Sequence, residues 1–298
     1  MMHGGLPALL FPAVFLALPI AIGIFGWVRC RGEPPVAGRL VPRRLSLLSL
    51  LLYTLAFNLT FFIQELFLVV PKALTPGLRP TLFHNNHNWE GSHPLEYLFQ
   101  GTGAAAILVC GLVFAWLAKR GVGGTEARRL FILWMAYHGL FQSLPQIAFA
   151  AVSPNSDTGL ALDWFGLPAA AELLVTVLAA IAIIGAGLFM TRRFLELGPP
   201  MESGRARSRF VFFLAVLPAA LAVPVLILFR VPREWVEVVV PTIAVPLIGL
   251  IWVQANAWRM RVVARPVQPS PSLAIPLVLV LALLAAFQLV LRPGIAFY

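Results

Sequence analysis

Eight stretches of this chain are apolar over roughly 20 residues or more, the length a helix needs to cross a bilayer. They lie at about 6–28, 45–70, 95–118, 130–152, 167–190, 209–230, 235–257 and 272–291. In hydrocarbon every backbone polar group must be bonded within the protein, and a helix does this inside its own segment. Only 11% of the residues are charged, against about 25% in a soluble domain. The sequence therefore predicts an all-α, polytopic integral membrane protein of about eight transmembrane helices, forming a single transmembrane domain over 1–298. No basic region precedes the first apolar run, so that run reads as a retained helix and not as a cleaved signal peptide. The expected setting is a bacterial cytoplasmic membrane.

The formal net charge is +10. Its distribution argues against nucleic acid, because the basic residues are not interleaved with exposed aromatics in a recognition fold. With the N-terminus outside, the inner connections at 29–44, 119–129, 192–209 and 259–265 hold seventeen of the 22 basic residues. Positive charge concentrates on the cytoplasmic side of membrane proteins, so both termini are expected to be extracytoplasmic. The same charge attracts anionic membrane lipids to the inner face. Cys30 and Cys110 are far apart in sequence and read as small buried hydrophobes.

Polarity divides the chain. Residues 45–190 carry the embedded polar groups, whereas 209–291 is apolar, proline-punctuated and reads as scaffold helices. Given the topology, Gln64 and Glu65 fall in the outer half of the second span. His138, Gln142 and Gln146 recur every four residues on one face of the fourth. Gln100 opens the third span and Glu172 lies about one turn into the fifth. Ionisable groups in a membrane are costly and usually face a protein interior or wet cavity. These seven residues are therefore the candidate lining of one polar cavity in the outer half of the bilayer. Interhelical hydrogen bonding accounts equally well for the glutamines and His138, but not for two glutamates.

The longest outer segment, 71–94, holds three of the five histidines in "HNNHNWEGSHP". His84, His87, Glu90 and His93 are candidate ligands for a divalent metal, although their spacing is not a strong zinc signature. The alternative is an interfacial belt of amphipathic rings. About 24 residues exceed what a tight turn needs, so the segment is expected to fold back over the bundle as a lid.

The stretch "FNLTFFIQELFLVVPKALTPGLRPTLFHNNH" at 57–87 resembles site-2-type intramembrane metallopeptidases. That family places His-Glu-x-x-His on a membrane helix, so that two histidines on one face grip zinc and the glutamate activates water. Here the corresponding residues are Gln64, Glu65 and Leu68, so the glutamate stands in register without either histidine. The family takes a third ligand from an aspartate on another helix; "NSDTG" offers Asp157, in an outer loop and without the usual neighbours. The resemblance implies a catalytically degenerate, metallopeptidase-like pseudoenzyme that binds a ligand or partner in the outer-half cavity. Two other readings stay open: an accessory subunit contacting other membrane subunits, and a metal-dependent enzyme acting on a lipid-soluble substrate through relocated histidines.

Overall fold

A computed structural model describes residues 12–34, 38, 40–231, 235–265, 267–270 and 272–298. The start of the first apolar stretch (6–11), together with Arg39 and Arg233, lies outside the described residues, as do the side chains of Pro241 and Pro246. The chain is an all-α membrane protein with one small sheet, and 71% of it is helical. In chain order the elements are α1 (Ala13–Arg29), α2 (Arg43–Ala73), β1 (Leu78–Leu82), β2 (His87–Gly91), α3 (Gln100–Arg120), α4 (Glu126–Phe149), α5 (Asp157–Trp164), α6 (Ala169–Leu195), α7 (Gly204–Arg230), α8 (Trp235–Ala257), α9 (Ala274–Leu291) and β3 (Ile295–Ala296).

Among the described residues, five helices, α2, α3, α6, α7 and α9, are long and apolar enough to cross a membrane. The apolar part of α1 and the Thr242–Ala257 part of α8 are shorter. Helix α4 is different in kind. Nearly every side chain from Leu130 to Pro145 is buried, polar ones included. Its neighbours α2, α3, α6 and α8 screen it on all sides, so its polar groups face protein and not lipid.

Local chemistry sets the helix ends. Thr125 and Ser203 cap α4 and α7 by accepting the backbone N–H groups of Arg128 and Ala206. Gly121, at φ 73°, ends α3 in the left-handed conformation. Glu33 ties the segment after α1 to the start of α7, accepting N–H bonds from Gly204 (3.1 Å) and Arg205 (2.7 Å). Those two bonds hold its carboxyl below the ordinary range.

Three prolines are preceded by a widened helical turn. Leu18, Leu217 and Arg292 each donate a backbone N–H to the carbonyl five residues back, on Ala13, Phe212 and Phe287. Each of these π-turns ends just ahead of a proline: Pro19, Pro218 or Pro293. A proline ring clashes with the carbonyl four residues back and removes a donor, and a widened turn relieves both faults.

Helices α3 and α4 cross at Gly111 and Gly139. A Cβ added at Gly111 would lie 2.7 Å from the carbonyl carbon of Gly139 and from the nitrogen of Leu140. Small residues at such crossings let backbones approach closely, and this contact brings the polar face of α4 toward α3.

The segment 71–94, expected to fold back over the bundle, takes a regular form. It is a β-hairpin, with β1 antiparallel to β2 and Thr81 opposite Asn88. Phe83 donates its N–H to the Asn86 carbonyl (2.8 Å), closing the turn. Gly91, at φ 93°, lies where a Cβ would strike the Gly77 carbonyl, so glycine is required there. β3, from the far end of the chain, pairs antiparallel with β1 through Thr81 and Leu82, giving the strand order β2-β1-β3.

Candidate functional site

Helix α2 carries Glu65 and Lys72 seven residues apart, which places them on one face two turns apart. Both are buried, Lys72 completely. The hairpin lays β2 over this face. His87 Nδ1 lies 3.0 Å from Glu65 Oε2, and its Nε2 lies 3.0 Å from Gln100 Oε1 at the start of α3. Lys72 Nζ donates to the same Gln100 oxygen at 3.2 Å and to the Leu68 carbonyl at 3.0 Å. Its ammonium also lies 4.4 Å from the centre of the Trp89 ring, which stacks on the His87 ring.

These contacts restrict where the hydrogens can lie. The Lys72 ammonium only donates, so the Gln100 atom it meets is the amide oxygen. That oxygen only accepts, so His87 Nε2 carries a hydrogen. The His87–Glu65 contact then has two forms. Either both ring nitrogens are protonated and Glu65 is a carboxylate, or a neutral ring accepts a hydrogen bond from a protonated Glu65. One proton is shared across this contact in either form.

Asp157, at the start of α5, is half-buried near this group. Burial raises its carboxyl above the ordinary 3.8, opposed by the pull of His87 and Lys72. A raised native value means that the fold prefers the protonated acid. That preference supports the fold fully below the ordinary carboxylate range and is lost as pH rises through the raised value. Asp157→Asn is therefore expected to melt at or above the wild-type temperature at pH 7, with the difference vanishing toward pH 4. Thermal unfolding at the two pH values checks this, and a less stable variant at pH 7 would contradict it.

A second polar chain runs along α4. Gln142 Nε2 lies 3.4 Å from His138 Nδ1. Gln146 Nε2 donates to the Gln142 carbonyl (2.7 Å) and to Gln64 Oε1 (3.0 Å). Thr158 Oγ1 donates to the Gln146 carbonyl (2.9 Å). His138 is fully buried among the rings of Tyr53, Phe57, Trp134 and Tyr137. The residues proposed to line one cavity thus fall into two adjoining groups. Glu65 and Gln100 join His87, while Gln64, Gln142, Gln146 and His138 form a ladder. Glu172 stands apart, half-buried in the first turn of α6, and among the described residues no hydrogen bond or ion pair joins it to either group.

The four candidate metal ligands are not gathered. Among the described residues, no group of three or more His, Cys, Asp or Glu side chains is placed to hold a metal ion. Strand geometry is the reason. Successive side chains in β2 point to opposite faces, so His87 and Trp89 turn inward while exposed Glu90 turns outward. His84 lies in the hairpin turn, beside Asn85 (2.9 Å), whose amide also donates to the Arg230 carbonyl. His93 lies beyond the strand, where its Nδ1 accepts the Leu95 N–H (3.2 Å).

Lys72 and Arg79 are the basic residues that follow Glu65 before β2. Lys72 joins through Gln100, whereas exposed Arg79 sits opposite Glu90 in the hairpin register. Trp89 was missed, and its spacing of two from His87 was the available signal. Compared with models of known protein families, with characterised proteins and with solved structures, the chain matches none of them.

Proposed function

We propose that this chain is a degenerate, metallopeptidase-like membrane protein that binds a polar ligand or partner at the Glu65–His87–Gln100–Lys72 group, beneath the β-hairpin and in the outer half of the bilayer. The observation that carries this reading is the buried contact between Glu65 and His87, residues 22 apart in sequence and brought together by the hairpin. Structural glue between helices does not need an acid, an imidazole and an ammonium in one buried group. Zinc peptidase chemistry at Glu65 is disfavoured, because Gln64 is bound to Gln146 and Leu68 is hydrocarbon packed against Gly103. In this reading α1–α4 and α6–α9 supply eight spans with both termini outside, in keeping with the basic inner connections.

The test uses a chain whose Cys30 and Cys110 are replaced by alanine. Gln100→Cys is treated with a membrane-impermeant thiol reagent from each side of sealed vesicles. The expected result is slow reaction from the outer side only, much faster when Gly91→Val disrupts the hairpin. No reaction in either background would make the group a sealed structural feature and end the binding reading. Reaction from the basic side alone would overturn the orientation.

A further inference from the structure

A groove of about 870 Å³ runs between α1, α7 and α8, lined by no residue of the hairpin. Its volume falls within the roughly 300–1,000 Å³ typical of ligand sites. Along α8 it extends from Ile243 to Trp258, about 22 Å at the helical rise. Most of its walls are hydrocarbon, from residues such as Ile20, Ile24, Val223 and Leu247. Gly23 leaves it open, since a Cβ there would meet only Ala255, at 3.9 Å.

The polar residues collect at one end. α1 and α8 run toward this end and α7 starts from it, which brings Arg31, Arg205, Ser208 and Gln254 together. Arg31 is exposed and lies over the Trp27 ring at 4.0 Å. Arg205 is exposed and reaches the Glu33 carbonyl at 3.4 Å. The Glu33 carboxylate is already engaged by the backbone N–H groups of Gly204 and Arg205, while Arg29 and Arg207 add further positive charge nearby. The buried indole N–H of Trp258, also at this end, has no acceptor among the described residues.

A long apolar slot ending in arginines and an unused N–H donor complements one kind of molecule, an amphiphile with an anionic head. We infer that the groove between α1, α7 and α8 is a binding site for one anionic phospholipid, its acyl chain along Gly23 and Leu247 and its phosphate between Arg31 and Arg205. Basic pockets between membrane helices bind anionic headgroups through the same charge attraction. Ordinary bilayer lipid would fill the slot without distinguishing headgroups, and this difference is what the experiment reads.

The full chain is reconstituted in vesicles of equal phosphatidylglycerol and phosphatidylcholine, extracted gently and examined by native mass spectrometry. The expected result is retained phosphatidylglycerol, near one per chain, well above phosphatidylcholine. Arg31→Gln and Arg205→Gln should each reduce this preference about five-fold, the attraction an anionic surface exerts on one basic side chain. Gly23→Leu should remove the retained lipid of either kind by filling the slot. Equal retention of both lipids by the wild type would overturn the assignment without reference to any variant. So would an unchanged preference in the folded double arginine variant.

Discussion

Glu65→Leu is expected to destabilise the protein by about 3–5 kcal/mol, the cost of removing one partner from a buried charged group. With leucine there, His87 Nδ1 has no partner inside the protein, and the buried Lys72 ammonium loses the nearest carboxyl along its own helix face. The hairpin loses a buried polar contact with α2 but keeps the packing of β1 on that helix. Glu65→Gln should cost less, about 1–3 kcal/mol, because an amide still hydrogen-bonds the His87 ring. Glu90→Gln, on the exposed face of β2, should fall within about 0.5 kcal/mol of wild type. Chemical unfolding of the three variants in one detergent gives the ranking, and limited proteolysis at 83–86 reports whether the hairpin detaches. If Glu65→Leu is as stable as Glu90→Gln, the buried group does not hold the hairpin.

The helices were legible because their signal is local. An apolar run of sufficient length predicts a membrane helix whatever surrounds it. The polar stripe His138, Gln142, Gln146 was legible for the same reason, since four-residue spacing alone places it on one face. The hairpin was not. Pro80 stands in the middle of β1, where a proline normally argues against a strand, and its carbonyl is met by the Phe297 N–H from the chain's far end. β3 lies more than 200 residues from β1, and no local pattern announces such a pairing. The candidate metal set failed on this same point. Histidines close in a flexible loop can converge, whereas the hairpin leaves His84 in its turn, His87 on the inner face of β2 and His93 beyond the strand. The division into a polar half and a scaffold half is also too clean. Arg230 at the end of α7 lies over Phe61 of α2 at 3.8 Å, and its carbonyl receives Asn85 of the hairpin turn.

The crossing of α3 and α4 links packing to the site. Gly111→Leu is expected to cost more than about 3 kcal/mol, beyond the usual range for overpacking. The reason is what the new Cβ would meet. Its three nearest neighbours are backbone atoms of Gly139 and Leu140, at 2.7–2.9 Å. A flexible side chain can swing away from such a contact, but backbone inside a buried helix cannot move without moving the helix. Gly185→Leu, the same substitution in α6 where nothing lies within 4 Å of the added Cβ, should instead gain up to about 1 kcal/mol from helix propensity. The contrast separates the crossing from any general intolerance of leucine for glycine. The crossing has a second consequence. α3 begins with Gln100, whose oxygen joins His87 to Lys72, and α4 carries Gln142 and Gln146. Forcing the two helices apart at Gly111 pulls Gln100 away from α2. A folded fraction of Gly111→Leu should therefore show the hairpin turn at 83–86 cleaved faster by protease than in wild type, although the substitution lies more than two helical turns from Gln100. Unchanged stability in Gly111→Leu would mean that α3 and α4 do not meet at this pair.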